Sequence, residues 1–347
     1  MLLRTLILAG TIVFISCHNS SQKTKVNVAD TASLTTTAKD ITAIPDRILP
    51  DDGQEGIRKG AVFIFKKRGF ELFSGGTAMG KKYAEAINMY NRLKIPGLKI
   101  YNLIIPNGFE FEVTERYKNL AKPATEAINS IFSSEDPEII KVNPVDEIRR
   151  HRSEYIYFNT DHHWTSLGAY YAYRSFCKAA SLTPVSLDSI PYKVRPGFLG
   201  FFHRITRSAV LKNNPDSVKY YLFPDSVNFY IGSNTIGYWS KSHMYAEDVR
   251  GDNSYSVFLQ GDLPICKMET QHKNGRKIVL VKESYGNAFA PFLINNYEKV
   301  IVVDQRSYKG NFIAMLKAEG INELLFINNI FAAHTQFHID DIKGLKK

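Results

Sequence analysis

Residues 275–329 read "GRKIVLVKESYGNAFAPFLINNYEKVIVVDQRSYKGNFIAMLKAEGINELLFINN". Three apolar runs, "IVLV", "VIVV" and "LLFI", each end in polar residues, and the helical stretches "AFAPFLINN" and "NFIAMLKAEG" separate them. A strand whose side chains do not alternate polar with apolar needs cover on both faces, and strand, helix, strand, helix, strand is the rhythm of a parallel sheet. The fold expected is α/β, one three-layer domain with a mostly parallel sheet. In such sheets ligands bind beyond the carboxyl ends of the strands. The residues delivered to that edge are Ser284, then Asp304, Gln305 and Arg306, then Asn328 and Asn329, with Asn107 added by the run "LIIPN".

Upstream, "GAVFIF" (60–65) and "LKIYNLIIP" (98–106) read as strands, and Tyr83, Ile87, Tyr90 and Leu93 between them recur at helical spacing. "GGTAMG" (75–80) has neither the Lys-Ser/Thr ending of a phosphate loop nor dinucleotide spacing, so it reads as the turn before a helix over 79–94. Residues 190–275, rich in Gly, Pro, Asn and aromatics, read as an irregular insertion in a domain spanning 55–347.

The first 17 residues, "MLLRTLILAGTIVFISC", place one Arg and a short apolar run before a small residue and Cys17. This is a secretory signal, too short to span a membrane comfortably. It resembles a bacterial lipoprotein signal, in which cleavage before the Cys leaves Cys17 to carry lipid. Residues 18–54 begin Ser-, Thr- and Lys-rich and read as a tether. The expected location is the bacterial cell envelope, lipid-anchored. The chain has 347 residues, 44% of them hydrophobic, enough for a large core, and a formal net charge of +10. Its Lys and Arg fall in short groups such as "KKR" (66–68) with no basic block, so nucleic acid is not an expected partner.

The segment "EYIYFNTDHHWTSLGAYYAY" (154–173) ends a strand-like run at Phe158 and begins a helical face at Leu167, with Thr165 or Ser166 as cap. Asp161, His162, His163 and Trp164 therefore sit on a turn. A metal site needs three or four converging ligands, adjacent His tend to diverge, and no H-x-x-x-H or Cys pair completes a shell, so neither metal nor other cofactor is expected. A general base needs less: one His near a nucleophile and a carboxylate holding its other nitrogen. Asp161 and His163 can make that contact locally, and a helix N-terminus beside them disfavours imidazolium. Ser284 is the nucleophile candidate, a plain helix cap being the alternative. Trp164 and Trp239 are candidates to stack on a sugar, with burial as the alternative.

"IYFNTDHHWTSLGAYYAY", with "PGFLGFFHR", "KESYGNAFAPFL", "VVDQR" and "LLFINN", closely resembles the bacterial DHHW protein family, related to alginate O-acetyltransferase-like proteins of the SGNH hydrolase superfamily. The resemblance covers roughly residues 60–335. It implies a triad of Asp161, His163 and Ser284, with the Ser284 amide and Gly286 or Asn287 in or near the oxyanion hole and Asn328 or Asn329 as the strand-end Asn. His162 has no assigned role and, with Trp164 and Arg306, is a candidate for contacting substrate. The function it implies is O-acetyl transfer to a cell-envelope or secreted polysaccharide, with a membrane acyltransferase partner as a candidate acetyl donor. Acetylester hydrolysis by the same triad and non-catalytic glycan binding are the rival readings.

Overall fold

The computed structural model describes residues 49–224 and 226–346. The signal segment 1–17 with Cys17, and tether residues 18–48, lie outside them. In chain order the strands are β1 (Ile57–Lys59), β2 (Val62–Phe65), β3 (Arg68–Glu71), β4 (Lys99–Ile105), β5 (Ile140–Val142), β6 (Tyr192–Phe198), β7 (Asp216–Tyr221), β8 (Asn228–Gly232), β9 (Trp239–Ser242), β10 (Ile265–Glu269), β11 (Lys277–Lys282), β12 (Lys299–Asp304) and β13 (Glu323–Asn329).

The central sheet runs β5-β4-β13-β11-β12-β10-β8-β9. Its first five strands are parallel, and the three apolar runs of residues 275–329 form the middle of it. Side chains along β4 alternate between two helical layers: Tyr101 packs on Phe176 of helix Ser166–Ala179, while the next residue, Asn102, accepts from Tyr83 of helix Thr77–Asn91. The sheet is therefore covered on both faces, as expected. Burying both faces of β11–β13 removes nearly every Val, Ile, Leu and Phe in them from water, at about 25 cal/mol per Å² of apolar surface. Helix Thr77–Asn91 buries Tyr83, Ile87 and Tyr90, the face read from its spacing.

Two expectations need correction. "EYIYF" is not a strand: residues 155–158 make one isolated bridge, Tyr157 to Trp164, as the chain doubles back across the Asp-His-His turn. Residues 190–275 also contain β6–β10, of which β8, β9 and β10 extend the central sheet antiparallel and β6 and β7 form a separate pair. These strands are short and, apart from β10, mix polar with apolar residues because they sit at the antiparallel margin of the sheet or outside it. Cys177 and Cys266 are both buried and free. Among the described residues no helix is long and apolar enough to cross a membrane.

Connectivity places the site. From β11 the chain passes to its neighbour β12, then returns by way of helix Phe312–Ala318 to β13 on the other side of β11. Strand order thus reverses at β11, and a crevice opens beyond the carboxyl ends of β11 and β13.

Candidate active site

Ser284 sits on the turn between β11 and the short helix Gly286–Phe289. The Asp-His-His turn reaches it from the other half of the chain. Its ends are pinned by backbone hydrogen bonds from Phe158 N–H to His163 O and from Thr165 N–H to Ile156 O. Thr165 caps helix Ser166–Ala179, its side chain accepting from Gly168 N–H. A Cβ at Gly168 would lie 2.3 Å from Ile156 O, so only glycine lets the helix start this close to the turn.

His163 lies between Asp161 and Ser284. Its Nδ1 is 2.5 Å from Asp161 Oδ1 and its Nε2 is 2.7 Å from Ser284 Oγ. Tyr255 stacks on the imidazole with ring centroids 3.9 Å apart and planes within 11°, which fixes the ring. Asp161 is held in turn: Oδ1 accepts from His163 N–H at 3.0 Å and Oδ2 from Phe201 N–H at 2.7 Å. Burial pushes its carboxyl up, but His163, His162 and the Phe201 amide together hold it well below the usual carboxylate range, so it stays ionised. The Phe201 contact depends on Gly200, where a Cβ would fall 2.3 Å from Asp161 Oδ2.

Glu283, unremarked in the sequence, anchors the Ser284 turn. Its Oε2 accepts from Tyr285 N–H at 3.1 Å and its Oε1 from Asn329 N–H at 3.0 Å, tying the ends of β11 and β13 together. Burial raises its pKa above the ordinary value. Position 283 beside Ser284 was the one available signal. Tyr255 and Gly200 lie far from both triad segments in sequence, and only the fold brings them in.

The remaining site residues divide. Asn329 lines the cleft, its Oδ1 accepting from Phe331 and Ala332 N–H. Asn328 does not: it is fully buried, accepting from Gln305 and donating to Tyr83. Asn287 lines the cleft with Nδ2 on Asp262, its backbone N–H donating to Ser284 O. Gly286 N–H is committed to Glu283 O, and its Cα packs against Lys282. Ser284 N–H has no hydrogen-bond partner among the described residues. Arg306 lines the cleft, clamped bidentately by Asp304 and reaching Asp262 at 2.8 Å. Trp164 is corrected: it is fully buried and donates to Tyr285 O, out of reach of any ligand. Trp239 lies on edge strand β9, donating to Glu319 with Lys267 over its ring.

His162 lines the cleft, edge-on to Phe201, with burial and the neighbouring His163 lowering its pKa. Ligand atoms of Asp161, His162 and His163 lie within 4.8 Å of one another. Yet both ring nitrogens of His163 are engaged, so a metal there would have to break the contact to Asp161 or to Ser284. The whole arrangement opens into a cleft of about 620 Å³.

Sheet order, the reversal at β11 and the Ser-His-Asp geometry beyond it define an SGNH-hydrolase-like α/β protein. The DHHW protein family model matches residues 19–303, and the chain belongs to that family. A DHHW family protein from Eubacterium siraeum shares 28% identity over 84% of this chain and 97% of its own, with a TM-score of 0.77. Bacillus cereus PatB1, solved with a sulfonyl adduct, has the same fold at 16% identity, covering 84% of this chain and 99% of that one with a TM-score of 0.67. No curated protein matches the chain in sequence.

Proposed function

We propose that this protein is a serine-dependent acyl-transfer enzyme, an O-acetyltransferase acting on a cell-envelope or secreted polysaccharide. The observation that carries the reading is the continuous hydrogen-bonded line from Asp161 through His163 to Ser284 at the open crevice of the sheet. Ser284 Oγ gives its proton to His163 Nε2 and bonds to the carbonyl carbon of an acetyl ester, Asp161 stabilising the imidazolium that forms. The developing oxyanion is met by Ser284 N–H, with Asn329 Nδ2 as second donor. His163 then protonates the departing alcohol, leaving acetyl-Ser284. An acceptor sugar hydroxyl passes its proton to His163, attacks the acetyl carbon and releases Ser284 with its proton restored.

Water in place of the sugar gives ester hydrolysis through the same intermediate. A membrane acyltransferase supplying acetyl groups, and an anchor through lipidated Cys17, complete the proposal. The test is intact-protein mass after brief incubation with an activated acetyl ester. One added acetyl group is expected on the unaltered protein and none on Ser284→Ala. Equal turnover by Ser284→Ala would end the serine mechanism, and neither adduct nor turnover with the unaltered protein would leave glycan binding without catalysis.

A further inference from the structure

The cleft is far larger than an acetyl group requires. Beyond Ser284 it is lined by Phe331, Ala332, Thr335, Phe337 and His338, from the stretch 331–338 that follows β13 and lies outside the residues matched by the family model. Within that wall Phe337 is 62% exposed, although most large apolar side chains of the described chain are buried. Its ring sits 4.1 Å from that of His338, whose Nδ1 is itself shut off from solvent without a partner. An exposed aromatic ring on the rim of a cleft offers a flat apolar face where a ligand can displace water. A second cavity, about 330 Å³, shares Glu71, Phe331 and Thr335 with the cleft, so the groove continues past the triad.

The charges narrow the ligand. The lining contains five carboxyl side chains, Glu71, Asp161, Asp252, Asp262 and Glu283, against two guanidinium groups. Of these two, Arg306 is already neutralised by Asp304 and Asp262. Arg204, over the Phe201 ring, is the remaining guanidinium, and the carboxyl groups of the lining outnumber it, which disfavours a uronate, sulfate or phosphate.

We propose that the 331–338 wall is the acceptor subsite for an uncharged pyranose chain, with the Phe337 ring as its stacking platform. This rests on the acyl-transfer reading of Ser284 for its role, but not for its test. Binding is measured by calorimetry on full-length Ser284→Ala protein, which cannot turn over. The probes are hexamers of glucose, mannose, xylose and N-acetylglucosamine, with hexagalacturonate as the charged control. At least one neutral hexamer binds, and hexagalacturonate binds at least about tenfold more weakly than the best of them. Adding Phe337→Ala weakens the best ligand about tenfold, while Phe337→Trp retains it. Because Phe337 is exposed, both variants keep the parent melting temperature to within a few degrees. Binding unaffected by Phe337→Ala, preference for the charged hexamer, or no binding by any neutral one overturns the subsite. Hydrolysis of a small acetyl ester by the unsubstituted protein is measured alongside. Its absence counts against the serine chemistry alone.

Discussion

His163 Nε2 lies 2.7 Å from Ser284 Oγ across 121 residues of chain, the sequence separation being bridged by a turn and a strand end that meet at one sheet edge. In the proposed mechanism the two act as a unit, so Ser284→Ala and His163→Ala should each lower activity by roughly a thousandfold or more, and the double variant should lose little beyond that. Single-turnover kinetics with an acetyl ester measure it. Additive losses would mean that the pair does not share a step. His162→Ala, which leaves both contacts of His163 in place, should be milder.

Gly200 and Asp161 give a second test. The Cβ of Gly200→Ala must displace the Asp161 carboxylate, which also loses Phe201 N–H. A misplacement of this kind costs on the order of a hundredfold in kcat. Asp161→Asn should keep the fold but leave the imidazole in the wrong tautomer, losing about a thousandfold or more. Matching melting curves with unequal rates are the expected signature.

Glu283 binds one buried and one half-buried amide, and Glu283→Ala leaves Tyr285 and Asn329 N–H unpaired. Each orphaned donor costs about 1–3 kcal/mol. Glu283→Gln, which keeps an acceptor for one of them, should fall between. Chemical denaturation reads the stability. A Glu283→Ala protein as stable as the parent would show that the β11–β13 tie carries no weight.

Glu135 makes stability depend on pH. Burial raises its pKa from 4.5 to about 7, against the Asn102 hydrogen bond and Lys141, which pull it down. The folded form therefore holds the proton more tightly than the unfolded one. That stabilisation is complete below about pH 4.5 and is lost as pH rises through about 7, a span of about 3 kcal/mol. Glu135→Gln cannot ionise and retains an acceptor for Asn102. Thermal melts should place the variant above the parent at pH 8 and close to it at pH 4.5. A constant difference across that range would show that Glu135 titrates normally.

Cys17→Ala should abolish incorporation of labelled fatty acid in cells and release the protein from the membrane fraction. Unchanged labelling would remove the lipid anchor from the proposed function.

The parallel core was legible because β11, β12 and β13 carry unbroken apolar runs, a pattern few other contexts tolerate. β8 and β9 were not, since "NFYIG" and "WSKS" are short runs at the antiparallel margin of the sheet that bury little. Asp161, His163 and Ser284 were legible as types on turns, and chain connectivity then set them together. Asn328 and Asn329 could not be told apart, because successive strand residues point to opposite faces and only the packed fold says which face is the helix layer. Trp164 failed for the same reason: a turn residue reads as accessible until the partner that covers it, here Tyr285 and the helix after Ser284, is known.

β13 lies between β4 and β11, and among the described strands it is the last that a ribosome makes. Without Glu323–Asn329 the sheet falls into two fragments, β5-β4 and β11-β12-β10-β8-β9, with no ladder between them. The core cannot close until residues 323–329 have been made, since its central pairing joins residues 99–105 to 323–329. Through that stretch of synthesis the two fragments have no ladder to join them, so the β4 edge and the β11 strand that leads to Ser284 come together only once β13 is in place.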